Sequence, residues 1–542
     1  MAPIKVPIII GVGEVKNPSR RKEDAVEPLH LMLKAVREAA SDAYNSDAPA
    51  IISSIDSVKV VASSTWPYKD LPGLVCEGLG IKRHHTAYSE LAGSASVELI
   101  DDTARMIANE EIEVGVVVGG EAMASLKTFI KDGAYPPPWT PPKTTQVYYA
   151  NDTDMLTGIG RAHRVGVPMH VYAMYENALR WRRAQSPLEN LEESSSLYGR
   201  FADTASQHPM AWNYGNSPKT AKDIGNITKK NRMICFPYPL LMNAFNDVNL
   251  ASACIMTTTE CAERMGISRD KWIFPLGGGR AKDSKDFWNR PNFYSSGAIA
   301  SALDLCFQSA GLCKDDIDLF DFYSCFPIVP KLACRHLGIP CDEPPKPITL
   351  LGGLNSFGGA GANYSMHAVA EMVRQLRKLG GLPKPSNGLI LANGGILTTE
   401  NTICLSTHAR RGSGWYPTRD NNQIPPSSQL APPISIHAEG EAIVETYTVE
   451  YDRENHPRLG HIVCRLMNNG HRIIANHGDI PTLEQLSSWD TEPIGRVGFV
   501  KRSSTKEMGK TKILATSDED EVSRFDSREL SQRALARSLN DE

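Results

Sequence analysis

Ala92-Gly93-Ser94-Ala95-Ser96, followed by Val114-Gly115-Val116-Val117-Val118-Gly119-Gly120-Glu121-Ala122-Met123, decides the fold. The first run opens a helix over residues 96–109. The second is a strand apolar on both faces, as strands covered by helices on two sides are. The same order returns downstream, where Phe357-Gly358-Gly359-Ala360-Gly361 opens a helix over residues 365–379 that leads to Gly388-Leu389-Ile390-Leu391 and then Asn393-Gly394-Gly395. A helix and a strand precede each member: residues 29–44 then 55–61, and residues 298–310 then 317–322. Element order repeated in this way predicts two copies of one α/β half around shared layers.

Outward from these runs, Ile8-Ile9-Ile10-Gly11 reads as a strand and Pro28–Ala43 as a helix with its apolar residues on one face. The divisions expected are residues 1–135 for the first half and 241–415 for the second. Between them, 136–240 is a long insertion over the site, starting at Pro136-Pro137-Pro138-Trp139-Thr140-Pro141-Pro142 and holding a helix over 171–183. A proline-rich linker over 417–433 leads into a small β domain, 416–500, with strands over 442–450, 461–466, 472–475 and 497–500. Residues 501–542 form a charged tail that includes Asp518-Glu519-Asp520-Glu521, a composition that predicts no packed core.

Composition narrows the function classes. The 542 residues are 41% hydrophobic and 22% charged with net charge −4, which excludes the basic excess that nucleic acid demands. No apolar run reaches the length of a membrane span. Neither a leader at Met1-Ala2-Pro3-Ile4-Lys5 nor a peroxisomal tripeptide at Leu539-Asn540-Asp541-Glu542 is expected, so the sequence predicts a cytoplasmic protein. The 11 cysteines are scattered with no Cys-x-x-Cys pair, and this pattern predicts free buried thiols, with no metal and no cofactor.

Over residues 5–410 these motifs resemble the thiolase superfamily, and within it the thiolase-like proteins of type 1, relatives of the sterol-carrier-protein thiolases with an additional C-terminal domain. The resemblance implies a duplicated thiolase fold, two βαβαβαββ-type halves in five layers α-β-α-β-α, plus a small barrel similar to the oligonucleotide/oligosaccharide-binding fold. It also implies a small-molecule acyl thioester of coenzyme A as substrate or ligand, acyltransferase chemistry in lipid metabolism, and a monomer or homodimer.

Four thiolase blocks are in place with altered chemistry. The nucleophile position falls on Ser94, or on Gly93 if the alignment slips by one. The second block matches Tyr323-Ser324-Cys325-Phe326, the third Gly358-Gly359-Ala360, and the fourth Ala392-Asn393-Gly394-Gly395. Thiolases need a thiolate, a histidine to deprotonate it and a second cysteine; Gly93, Gly359, Ala392 and Asn393 supply none of these. The resemblance assigns Gly93, Ser94, Gly359 and Asn393 to substrate binding, with Ser94 read also as a helix N-cap.

Tyr323, Cys325 and His367 are the catalytic candidates. A phenol at Tyr323 can donate a hydrogen bond, and thiolase-fold aldolases that cleave steroid side-chain thioesters use tyrosines as acid/base groups. Cys325 precedes Phe326-Pro327 at a helix start, where a thiol's pKa falls. His367 stands two turns past the vacant histidine position. Glu400 reads either as a replacement acid/base or as a charge at a strand end. Three functions stay open: a thioester enzyme without a cysteine-bound intermediate, a lyase using Tyr323, and an acyl-CoA-binding scaffold without catalysis.

Overall fold

A computed structural model describes residues 5–144, 156–410, 416–417, 431–436, 439–504 and 521–531. The strands in chain order are β1 (Pro7–Lys16), β2 (Ser57–Val60), β3 (His85–Tyr88), β4 (Gly115–Ala122), β5 (Met233–Cys235), β6 (Tyr238–Pro239), β7 (Asn249–Thr258), β8 (Phe274–Lys282), β9 (Leu319–Phe322), β10 (Asn387–Gly394), β11 (Thr399–Ser406), β12 (Gly440–Tyr451), β13 (Pro457–Leu466), β14 (Arg472–His477), β15 (Val497–Ser504) and β16 (Glu521–Ser531).

Two sheets repeat one topology. The first runs β1-β7-β4-β2-β3 and the second β8-β11-β10-β9. In each, the first two pairings are antiparallel and the third is parallel. The helices Ala95–Ala108 and Tyr364–Lys378 touch both sheets and each other, so they form the middle layer. Ser96 Oγ donates to Ala362 O at 3.1 Å and Ser365 Oγ to Gly93 O at 3.2 Å, which ties each helix start to the other. Outside, Pro28–Ala43 packs on the first sheet and Gly297–Ala310 on the second. The duplicated five-layer fold is therefore present.

The strand order corrects the expected division at residue 241. β7 pairs with both β1 and β4, so it completes the first sheet even though the whole insertion separates it from β4 in sequence. Its run, Asn249 to Thr258, is buried throughout, and a continuous apolar strand carries no mark of the sheet it will join.

The third sheet closes on itself. β12, β13 and β14 form an antiparallel meander, β14 pairs parallel with β16, β16 antiparallel with β15, and β15 antiparallel with β12. This five-stranded Greek-key barrel carries the helix Ile480–Ser487 between its third and fourth strands. Val444, Val449, Ile462, Ile473, Leu483, Val500 and Phe525 fill it. The tail expected to stay unfolded from 501 is corrected here: β15 runs to Ser504 and residues 521–531 supply the fifth strand. Phe525 is buried, and that single aromatic in a charged context is what the composition concealed. The acidic run 518–520 lies outside the described residues. No helix among the described residues is long and apolar enough to cross a membrane.

Candidate functional site

The helix Ala95–Ala108 begins at Ser94, and the N-cap reading of that serine does not hold: its side chain makes no capping hydrogen bond. The residue is fully buried and Oγ has no partner. Gly394 leaves room for it, since a Cβ on Gly394 would stand 2.6 Å from Ser94 Oγ. At Gly93 a Cβ would stand 2.5 Å from the Tyr323 hydroxyl and 2.5 Å from Asn393 O. The phenol thus occupies the volume that a side chain at residue 93 would need.

Tyr323 ends β9, where its N–H donates to Leu391 O at 2.9 Å, and its ring meets Tyr364 edge-on at 5.4 Å. Asn393, at the end of β10, donates from Nδ2 to Tyr172 Oη at 2.7 Å and contacts Cys325 Sγ at 3.7 Å. Tyr172 Oη in turn donates to Gly395 O at 3.0 Å, and its ring stacks on Phe326 at 4.8 Å. Gly93, Ser94, Tyr323, Cys325 and Asn393 come together.

The chemistry of this cluster is that of neutral groups. Burial pushes the Cys325 thiol up to about 12, which corrects the expectation that its helix start lowers it: desolvation of the thiolate outweighs the neighbouring polar groups that favour it. Burial likewise raises Tyr323 and Tyr172 well above the ordinary phenol, with Cys325 and Glu400 adding to both. Glu400 faces Asn393 across the β10–β11 ladder, so the two side chains share one face of the sheet. It is fully buried, neither carboxyl oxygen has a hydrogen-bond partner, and burial holds its pKa well above the usual carboxylate range. Of its two sequence readings, the strand-end charge fails, because the group is neither exposed nor paired.

Gly359 and His367 make their contacts elsewhere. A Cβ on Gly359 would collide with Asn246 Oδ1, and its N–H donates to Phe245 O at 2.7 Å. His367 Nδ1 is engaged by Glu14 of β1, which also pairs with Arg374. Burial alone would raise Glu14, but His367 and Arg374 bring it down to about 2. No sequence motif flagged Tyr172, which comes from the insertion helix Pro168–Arg182.

A second buried cluster joins that helix to the barrel. His170 Nε2 and His461 Nε2 lie 2.9 and 3.0 Å from Glu450 Oε1, and Arg458 holds Oε2 at 2.9 Å. Among the described residues this is the one trio of potential metal ligands. The network assigns the protons, however. Asn476 Nδ2 donates to His163 O and Gly460 O, which turns the amide nitrogen toward His461 Nδ1 and leaves that ring nitrogen no room for a hydrogen. The proton sits on Nε2 and points at Glu450. The trio is a clamp of donors on a carboxylate, and a cation would have to displace that proton.

Residues 425–505 match the family described as the thiolase-like protein type 1 additional C-terminal domain. Among solved structures, a monomeric SCP2-thiolase-like protein type 1 from Mycobacterium smegmatis is 25% identical, with 96% of this chain and 99% of that one covered at a TM-score of 0.76. The Ltp2-ChsH2(DUF35) aldolase is 17% identical over 73% of this chain and 97% of that one, TM-score 0.52. Human mitochondrial 3-ketoacyl-CoA thiolase is 16% identical over 74% of this chain and 98% of that one, TM-score 0.51. The last two share the fold. No curated protein matches the sequence.

Proposed function

From a thiolase fold that carries the additional C-terminal domain of thiolase-like protein type 1, we propose that this chain binds acyl thioesters of coenzyme A and acts on them, if at all, without a cysteine-bound intermediate. One observation carries the reading. The Tyr323 hydroxyl fills the volume that a side chain at Gly93 would need, beside the Ser94 helix start, while burial pushes up the nearby thiol of Cys325. A buried neutral phenol is a hydrogen-bond donor to a carbonyl and is a poor acyl acceptor. Gly93 and Cys325 are partly exposed, which marks the side from which a thioester would enter.

Calorimetry with coenzyme A, acetyl-CoA and acetoacetyl-CoA tests the binding. We expect acyl-CoAs to bind, and Tyr323→Phe to weaken them about tenfold for the loss of one donor. Mass spectrometry after incubation should find no acylated chain. Failure of every thioester to bind sinks the reading, and a stable acyl adduct on any cysteine sinks its mechanistic half. The same tyrosine favours a second reading, carbon–carbon cleavage of a β-hydroxyacyl thioester, read as an aldehyde or ketone released from that substrate. Binding without turnover leaves the scaffold function.

A further inference from the structure

Glu400 is the group at this site that packing leaves unexplained. It lies in the middle of the fold on β11, fully buried, with neither oxygen bonded. Buried polar groups without partners are rare and costly, and a buried carboxyl keeps its place without a partner only when something other than stability selects it. The nearest cation does not pair with it. Arg290 spends its guanidinium on Ser284 O, Tyr175 Oη, Ile396 O and Thr398 Oγ1.

Its surroundings are those of a site. Asn393, directly opposite, has its own Oδ1 without a partner, and Ser94 Oγ, against Gly394, lacks one too. Asn401, the next residue on β11, donates from Nδ2 to Ser94 O at 3.2 Å, which fixes the strand against the start of the middle helix. Unsatisfied oxygens of Glu400, Asn393 and Ser94 therefore lie around the turn at Gly93, against which the Tyr323 hydroxyl packs. Resting on the thioester reading above, we propose that Glu400 and Tyr323 are a pair of neutral hydrogen-bond donors that hold the oxygen of a β-keto or β-hydroxyacyl thioester as it becomes an enolate.

The physics favours such a pair. A phenol and a carboxylic acid kept protonated in an apolar setting present two fixed O–H donors, which stabilise a developing oxyanion with little reorganisation. Burial pushes the carboxyl well above the usual carboxylate range here, with Arg290 opposing and Asp283 reinforcing. In the step itself the Cα–H bond breaks, its electron pair moves to the oxygen, and the proton passes to a solvent base, hydroxide or buffer, on the partly exposed side at Gly93 and Cys325. Glu400 and Tyr323 keep theirs.

Acetoacetyl-CoA is the probe, because its enolate has its own ultraviolet band. We expect binding to the wild type to raise that band, Glu400→Leu to lower the bound enolate fraction about 100-fold, and Glu400→Gln, which keeps a neutral N–H donor, to lose only about tenfold. Infrared difference spectra of wild type against Glu400→Gln should show a carboxylic acid at pH 7. Equal loss in the Gln and Leu variants would make Glu400 a base and overturn the proposal, as would an ionised carboxyl in the infrared. Acetoacetyl-CoA that binds without an enolate band overturns Glu400's role and leaves the thioester reading standing. No binding at all to the wild type overturns both.

Discussion

Two glutamates, each in a buried strand, have met opposite fates. Glu450 on β12 receives two imidazole N–H groups and a guanidinium, and against the effect of burial His170 and His461 bring its pKa down. Glu400 on β11 receives nothing, and burial drives its pKa up. The first joins the insertion to the barrel and is read as architecture. The second joins nothing, and no hydrogen bond offsets its burial. Satisfaction of the carboxyl, more than depth, separates a structural acid from a functional one.

The largest test removes the satisfied carboxylate. Glu450→Ala should cost about 3–5 kcal/mol in urea unfolding, since it strands two buried donors and a guanidinium; a loss under about 1 kcal/mol would erase the contrast. The pH dependence sharpens it, because the two acids carry opposite signs. Glu450, lowered in the folded state, contributes stability above its unfolded pKa of about 4.3, and that contribution is lost on acidification. Buried His163, His461 and His477, all pushed down to about 4 by burial first, act in the same direction and lose their contribution as pH falls from about 6.5 toward 4.

Glu400, raised in the folded state, contributes fully only below about 4.3 and loses ground as pH climbs toward its folded pKa. Wild type should therefore gain on Glu400→Gln as the pH falls from the folded pKa toward about 4.3. Parallel stability curves for the two proteins would show Glu400 to be ordinary.

Smaller effects probe the packing around Glu400. Gly93→Ala should destabilise by about 1–3 kcal/mol, because its methyl meets the Tyr323 hydroxyl and Asn393 O. The cost should shrink in the Tyr323→Phe background, where a double-mutant cycle reads the coupling. Least in energy, Cys325 should alkylate far more slowly with iodoacetamide at pH 7 than exposed Cys313, as peptide mapping of the labelled protein will show.

Much of the fold was legible in the residues. The repeat from Gly93 to Gly120 and from Gly359 to Gly395 gave the duplication because burial on both faces forces apolar strands and small residues at helix starts. β7 was assigned to the wrong half because pairing partners are a property of the folded sheet, and β16 was missed because one buried phenylalanine does not announce a strand. Motif position named Gly93, Ser94, Tyr323, Cys325 and Asn393, which the fold brings together. Tyr172 was beyond reach, since it arrives from an insertion that carries no motif. Glu400 was visible as a charge inside Glu400-Asn401-Thr402-Ile403-Cys404, but only the lack of a partner distinguishes its two readings, and partners lie far off in sequence.

The placement of β7 also sets an order of events during synthesis. The first sheet has its edge strand β1 and its inner strand β4 early, yet the strand that must lie between them leaves the ribosome only after the whole insertion. Until then β1 and β4 each present unpaired backbone, and closing so long a loop is entropically slow. The second sheet meets no such delay: β8 to β11 follow one another with no comparable interruption. The later-made half is thus able to form its sheet almost as soon as it emerges, and the nascent chain has most need of protection while the insertion is still being made.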